Sequence, residues 1–318
     1  LGIASVAVAP EARGAGVGGA IVAGLEEEAR ARGDVLAVLH AYRHGFYARL
    51  GYSDVTPNRR LACDPRAVPR EWVTRARAAG VRAARGTDDA RIAALYAECA
   101  KRSAGWLDRP ESLWTRRLAN ERRHFFVLDD GGYVALETFQ REPHAATRIE
   151  VHDLVAPTDD ARRVLWGFLG MQAGQASEID VEIAEGDPIL FALTDADGAR
   201  AGDERVEHDL GRIVAGPMIK MLDPRAALLA RGYPREGEAH LDVDGAAMRL
   251  TVRGGRAAID AAAGDALATS ALSLSSIAFG GLRAGDAVRL GLASGGAQAI
   301  ARAEAIFAGP PFFTSDRF

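Results

Sequence analysis

Residues 5–20 constrain this chain more than any other stretch. They read Ser-Val-Ala-Val-Ala-Pro-Glu-Ala-Arg-Gly-Ala-Gly-Val-Gly-Gly-Ala. Val6 and Val8 alternate with small residues, as in a strand. Pro10 ends the run, because proline cannot donate to a central ladder. Gly14, Gly16 and Gly18 then lead into an amphipathic helix. A strand, a loop of exposed backbone N–H groups and a helix N-terminus together bind phosphate. Glycine accepts positive φ and lets a ligand approach the backbone. Arg13 adds a fixed charge with a planar fork suited to phosphate. The plainer alternative is a glycine-rich strand-to-helix turn with no ligand.

Two common phosphate loops do not fit. Residues 14–19 satisfy GxGxxG, but a dinucleotide site needs an acidic residue at the end of the next strand. Here the next strand, residues 35–39, runs into His40 and Ala41. The Walker loop needs Gly-Lys-Ser/Thr, and that triplet does not occur. The remaining pattern, Val-x-Val-x-Pro-x-x-Arg-Gly-x-Gly-x-Gly, resembles the acetyl-CoA pyrophosphate loop of the GNAT N-acetyltransferases.

The surrounding order of elements agrees. Residues 1–9 are expected as a strand and 17–32 as a helix. That helix presents Ile21, Val22, Leu25 and Ala29 on one face and Glu26, Glu27 and Arg30 on the other, with Gly33 as its C-cap. Residues 35–39 are a short apolar strand of the buried kind. Residues 43–50 form a helix stopped by Gly51, and 58–62 return to sheet. Phe46 to Tyr52 resembles the GNAT segment in which a tyrosine lies beside the CoA sulfur. The leaving thiolate needs a proton, and a phenol can donate one at neutral pH. Tyr47 holds that position; the alternative is a core tyrosine packed with Phe46 and Leu50.

Residues 60–80 are expected as an arginine-rich linker with Pro65 and Pro69. A second unit follows: helices over 88–100 and 110–118, a hairpin over 125–128 and 133–136, a strand over 148–155, a helix over 162–172 and a strand over 178–183. Val151 to Pro157 lies where Val6 to Pro10 lies in the first unit. The glycines are gone, and Asp159 and Asp160 occupy the loop. Carboxylates there repel a pyrophosphate, so this unit reads as a degenerate repeat without cofactor, or else as an unrelated α/β domain.

From residue 212 the texture changes. Met218 to Leu229 is a strand-to-helix junction with Pro224 at the helix start. Strands over 239–243, 247–253 and 257–261 follow, with Asp244-Gly245 as a turn. Residues 265–272 are expected as strand, 274–279 and 284–291 as helical or mixed, and 298–307 as helix. The chain ends Pro-Pro-Phe-Phe-Thr-Ser-Asp-Arg-Phe.

Length and composition set the outer bounds. A chain of 318 residues, 48% hydrophobic and 26% charged, suits two or three globular domains. A net charge of −4 gives no reason to expect nucleic acid as a partner. No apolar run is long enough for a membrane span. Cys63 and Cys99 are too few for a disulfide framework, which points to the cytoplasm. His40, His44 and His152 read as ordinary surface or packing residues. No ligand spacing such as HExxH occurs, so no metal is expected.

An active GNAT half, a glycine-poor repeat and a terminal module ending in Asp-x-Phe resemble the Eis family of GNAT N-acetyltransferases. The resemblance implies an α/β (α+β) fold: tandem GNAT-like mixed sheets flanked by helices, then a C-terminal sterol-carrier-like α+β domain. Its modules map to residues 1–75, 76–211 and 212–318. It implies acetyl-CoA as co-substrate and a primary amine as acceptor, aminoglycoside-like or lysine-like. Val6 and Val8 would bind pantetheine through backbone groups; Arg13, Gly14, Gly16 and Gly18 would hold the pyrophosphate. Tyr47 would be the general acid, and Phe318 would supply its α-carboxylate as general base. Gly14 stands where many members carry a further basic residue. A homo-oligomer is implied, with a hexamer as the suggested form. GNAT domains place several strands and two helices ahead of the residue 1–9 strand, so an upstream portion is expected. The alternative function is apolar-ligand binding or assembly, with a vestigial GNAT domain.

Overall fold

The computed structural model describes residues 1–129, 131–140, 146–194, 211–262 and 264–316. The chain folds as two compact units. One contains Leu1–Thr56 and Ala215–Phe312, and the other Pro57–Val214 and Phe313–Asp316.

The chain begins with β1 (Gly2–Ile3), α1 (Val17–Ala31), β2 (Leu36–Leu39), α2 (His44–Ala48) and β3 (Ser53–Asp54). β1 and β2 run parallel with α1 as their crossover, and the apolar run of β2 lies inside the sheet. The expected strand over residues 1–9 is cut short. Ser5 takes a left-handed backbone at φ 55°, and residues 4–9 leave the ladder.

The second unit opens with β4 (Asn58–Cys63), α3 (Arg70–Ala79), β5 (Arg82–Ala83), α4 (Asp89–Ala100) and α5 (Glu111–Leu118). It continues with β6 (His124–Leu128), β7 (Gly132–Phe139), β8 (Thr147–Val155), α6 (Asp159–Gly170), β9 (Ala176–Ala184) and β10 (Arg212–Val214). These strands make one sheet in the order β10-β4-β9-β8-β7-β6-β5. β8, α6 and β9 repeat the parallel arrangement of β1, α1 and β2. The expected linker over residues 60–80 is instead sheet and helix. β4 pairs with β9 along its whole length. α3 turns Trp72, Val73, Ala76 and Ala79 toward the core around Leu165 and Leu169. Its arginines simply occupy the other face. α6 reaches α3 closely because Gly167 and Gly170 lack side chains; a Cβ at Gly167 would overlap the Trp72 carbonyl.

The remainder of the first unit is β11 (Met218–Met221), α7 (Pro224–Ala230), β12 (Gly237–Val243), β13 (Ala246–Arg253), β14 (Arg256–Ala261), β15 (Leu267–Thr269), α8 (Ala271–Ala278), α9 (Ala284–Arg289), β16 (Ala293–Ser294) and α10 (Ala297–Phe307). β11 slots between β2 and β3, antiparallel to both, and completes a four-stranded sheet. The others form a five-stranded sheet, β14-β13-β12-β15-β16. Asp244 (φ 51°) and Gly245 (φ 87°) make the hairpin turn between β12 and β13. The strand expected over 265–272 stops at Thr269, because Ser270 accepts a hydrogen bond from the Ser273 N–H and caps α8.

Candidate active site

α1 begins in an unusual electrostatic state. Its N-cap, Gly16, is left-handed at φ 80°, with no side chain to accept from the first-turn N–H groups and no acidic residue in the first turn. The opening N–H groups of a helix have no intrahelical acceptor, so here they are open to an anion. Gly14 is also left-handed, at φ 86°, and a Cβ at either glycine would meet nothing within 4 Å. The glycines are thus needed for backbone conformation and for open space above the turn. Arg13 Nε donates to the Val8 carbonyl at 3.3 Å and ties the loop back on itself.

Gly18 does something different. It lies in the first turn of α1, and a Cβ there would be 3.3 Å from Phe46 Cζ and 3.5 Å from Val8 Cγ2. Its missing side chain is what lets α2 close against the loop. Tyr47 follows Phe46 and is 9% exposed. Its ring stands edge-on to Phe46 at 4.9 Å and to Tyr52 at 5.9 Å. Val6 and Phe46 flank the same cluster, with Val22 and Leu39 beneath. Of the predicted residues, Val6, Val8, Arg13, Gly14 and Gly16 therefore lie on one segment leading into α1, Gly18 lies in the first turn of that helix, and Tyr47 lies on the helix packed against it. Phe318, the predicted base, and Arg317 lie outside the described residues.

Under this site lies a polar cluster that the sequence reading missed. Glu26 was expected on the solvent face of α1 but is 5% exposed, whereas Ile21, expected inside, is 39% exposed. Glu26 Oε2 accepts from Lys220 Nζ at 2.7 Å and from Arg30 at 3.3 Å. Lys220 also donates to the Leu50 carbonyl, 2.8 Å away, and its ammonium sits 5.5 Å from the Tyr52 ring centre. Burial, and then the nearby Glu26 carboxylate, push the Tyr52 hydroxyl well above the usual phenol range. The spacing Val22, Glu26, Ala29 does place Glu26 on the buried face; its counter-ion, 194 residues away, does not show in local pattern.

At the edge of this cluster His44, the first residue of α2, pairs with Asp54 of β3, Nδ1 to Oδ1, at 2.7 Å. Both are exposed.

The second unit treats the matching place differently. Asp153, near the end of β8, is 3% exposed and receives Arg109 bidentately, both contacts 2.8 Å, together with Arg117 at 2.9 Å and the Tyr133 hydroxyl at 3.3 Å. Asp316 enters the same knot, accepting from Arg109 at 3.0 Å and from the Tyr96 hydroxyl at 2.9 Å. Arg109 stacks over the Tyr96 ring at 3.7 Å. Burial alone would raise the Asp153 carboxyl, but the Arg109 hydrogen bonds and the two guanidinium charges hold it below the usual range. Beyond β8, Thr158 accepts from the Ala161 N–H and caps α6, whose first turn carries Asp159 and Asp160. That helix N-terminus is already filled.

Comparison with known proteins agrees with this geometry. Residues 1–55 and, separately, residues 105–213 match acetyltransferase (GNAT) domain families; residues 224–314 match a sterol carrier protein domain family. The N-acetyltransferase Eis of Mycobacterium tuberculosis is 31% identical over 272 residues, which is 80% of this chain and 64% of that protein. The chain belongs to the Eis family of GNAT N-acetyltransferases. It spans about 64% of the length of the curated Eis relatives it matches. A GCN5-related N-acetyltransferase from Kribbella flavida superposes with a TM-score of 0.80 at 25% identity, over 100% of this chain and 79% of that one. Eis1 of Mycobacterium abscessus shares the fold, with a TM-score of 0.77 at 23% identity over 100% of this chain and 82% of its own. The separate match over 105–213 bears out the second unit as a GNAT repeat. The Eis-family fold expected from the sequence, two GNAT units and a sterol-carrier-like domain, is the fold observed.

Proposed function

We infer that the chain acts as an acetyl-CoA-dependent N-acetyltransferase on a primary amine. The observation that carries this is the open N-terminus of α1, with Gly14 and Gly16 in left-handed conformations over empty space. The backbone N–H groups there, with Arg13, would hold the pyrophosphate. The backbone at Val6 and Val8, which lies outside any strand, would hold the pantetheine arm. Acetyl-CoA supplies an activated acyl group as a thioester. The amine nitrogen attacks its carbonyl carbon, a C–N bond forms, and the C–S bond breaks. Tyr47 protonates the departing sulfur, and the Phe318 α-carboxylate takes a proton from the nitrogen.

The buried cysteine Cys63 does not compete as a nucleophile. Burial pushes the Cys63 thiol up to about 12, which leaves it a poor nucleophile. No group of metal-binding residues occurs among the described residues. No described helix is long and apolar enough to cross a membrane. The buried free thiols Cys63 and Cys99 favour a reducing compartment, the cytoplasm in this reading. An aminoglycoside or lysine as acceptor, and a homo-oligomeric assembly, belong to the same reading through kinship with Eis.

The test is thiol release from acetyl-CoA in the presence of a panel of primary amines, aminoglycosides and lysine included. Turnover is expected. Tyr47→Phe should lower kcat by about 10²-fold while acetyl-CoA still binds. Binding of acetyl-CoA without turnover for any amine would reject the enzymatic reading.

A further inference from the structure

The proton count of this reaction leaves one group unassigned. A primary amine reaches an enzyme at neutral pH as an ammonium ion, which has no lone pair. It must lose one proton before it can attack, and a second once the C–N bond has formed. The balanced reaction is RNH3⁺ plus acetyl-CoA giving the acetamide, CoA thiol and one proton. A single carboxylate base accounts for one of the two removals. The other proton must leave to solvent.

We propose that His44, held by Asp54, takes the first proton from the incoming ammonium and passes it to solvent. This rests on the acetyltransferase reading above. His44 is the first residue of α2 and precedes Tyr47 by one helical turn, so the two side chains project from neighbouring positions of the same helix. That helix packs against the phosphate-binding loop through Phe46 and Gly18. Asp54, on β3, is 2.7 Å from His44 Nδ1. An ionised carboxylate only accepts, so Nδ1 carries the hydrogen and donates it, which leaves Nε2 as the free acceptor. Here Asp54 is a positioning residue: it sets the tautomer and orients the ring. The His44 side chain is 42% exposed and that of Asp54 65%. Exposure suits a group that must release its proton to water at each turnover. Asp54 is the charged group in contact with the imidazole from the adjoining strand.

The experiment compares wild type, His44→Gln and Asp54→Asn in thiol release across pH 6.5 to 9.5, using the best amine of the panel. A second arm uses ethylamine and trifluoroethylamine; the fluorines make the latter a free base at neutral pH. Both substitutions are at exposed positions, so folding is not at issue. His44→Gln should lose about 10²-fold in kcat/KM at neutral pH. Its log kcat/KM should then climb with a slope of one as free amine accumulates, closing on the wild-type line. Its deficit should shrink toward unity with trifluoroethylamine. Asp54→Asn should show the same pattern with a smaller loss, and the double variant should be no worse than His44→Gln alone. An equal loss at every pH and with both amines, or no loss with an alkylammonium at neutral pH, overturns the assignment. Tyr47→Phe serves as the contrast, because its deficit is expected to persist at all pH values and with both acceptors. Absence of turnover by the wild type with every amine tested would instead reject the acetyltransferase reading, and the base with it.

Discussion

The chain makes the same strand-helix-strand crossover twice and finishes it in opposite ways. After β1 the backbone leaves the sheet at residue 4, turns through Gly14 and Gly16, and enters α1 without a capping side chain. β8, at the matching place, stays paired with β7 as far as Val155, and α6 then starts under the Thr158 cap with Asp159 and Asp160 in its first turn. One crossover leaves backbone donors unsatisfied and the other satisfies them internally. Donors left open at an exposed helix end are free for water or an anion, whereas those under a side-chain cap are already engaged. The strand ends differ in the same sense. Val6 lies in coil with its backbone free of the ladder, while Asp153 is locked by Arg109, Arg117 and the Tyr133 hydroxyl.

Substitutions that exchange these features sharpen the contrast. The largest effect is expected from Asp153→Ala. It takes away one of the two carboxylates that Arg109 and Arg117 share, leaving Asp316 alone against two guanidinium groups, and breaking a buried pair from one side costs about 3–5 kcal/mol. Chemical denaturation followed by Trp fluorescence should show the loss. The pH dependence carries a sign. The Asp153 carboxyl is held below its ordinary value in the folded state. Its contribution is therefore complete above the unfolded carboxylate value of about 3.9 and is lost as pH falls through the lower folded value. Wild type should lose stability on acidification below about pH 4, and Asp153→Asn should show a flatter acid limb.

Next is Gly16→Asp. It forces a β-substituted residue to φ 80° and sets a carboxylate at the anion site. Acetyl-CoA affinity should fall by at least about 100-fold, roughly 2.7 kcal/mol, while the left-handed backbone costs about 1–2 kcal/mol of stability, too little to unfold the chain. The smallest effect belongs to Thr158→Ala. Removing an N-cap costs about 1 kcal/mol, and acetyl-CoA affinity should not respond.

Much of this contrast is legible in sequence because it depends on local rules. Left-handed turns want glycine, helix starts want Thr or Asp unless a ligand takes their place, and hairpins want Asp-Gly. The glycine turn before α1, the Asp244-Gly245 hairpin and the Pro224 helix start follow from such rules; the helix expected over 162–172 begins earlier, at Asp159 under the Thr158 cap, so Asp159 and Asp160 lie in its first turn and not in a loop. What escaped the sequence depends on distant partners. Glu26 is buried because Lys220 on β11 neutralises it. β11 itself, starting at Met218, completes a sheet begun at Gly2, and no periodicity announces its neighbours. Asp316 carried no assigned role in the terminal peptide, and its observed partners, Arg109 and Tyr96, are 207 and 220 residues away. The helix α3 was a different kind of miss. Its apolar spacing was present, but the density of arginine hid it.

The central claim is that only the first crossover binds acetyl-CoA, and calorimetric titration tests it most directly. One equivalent per chain should bind in wild type and in Thr158→Ala, and binding should vanish in Gly16→Asp. A stoichiometry near two, or unchanged affinity in Gly16→Asp, would contradict the account.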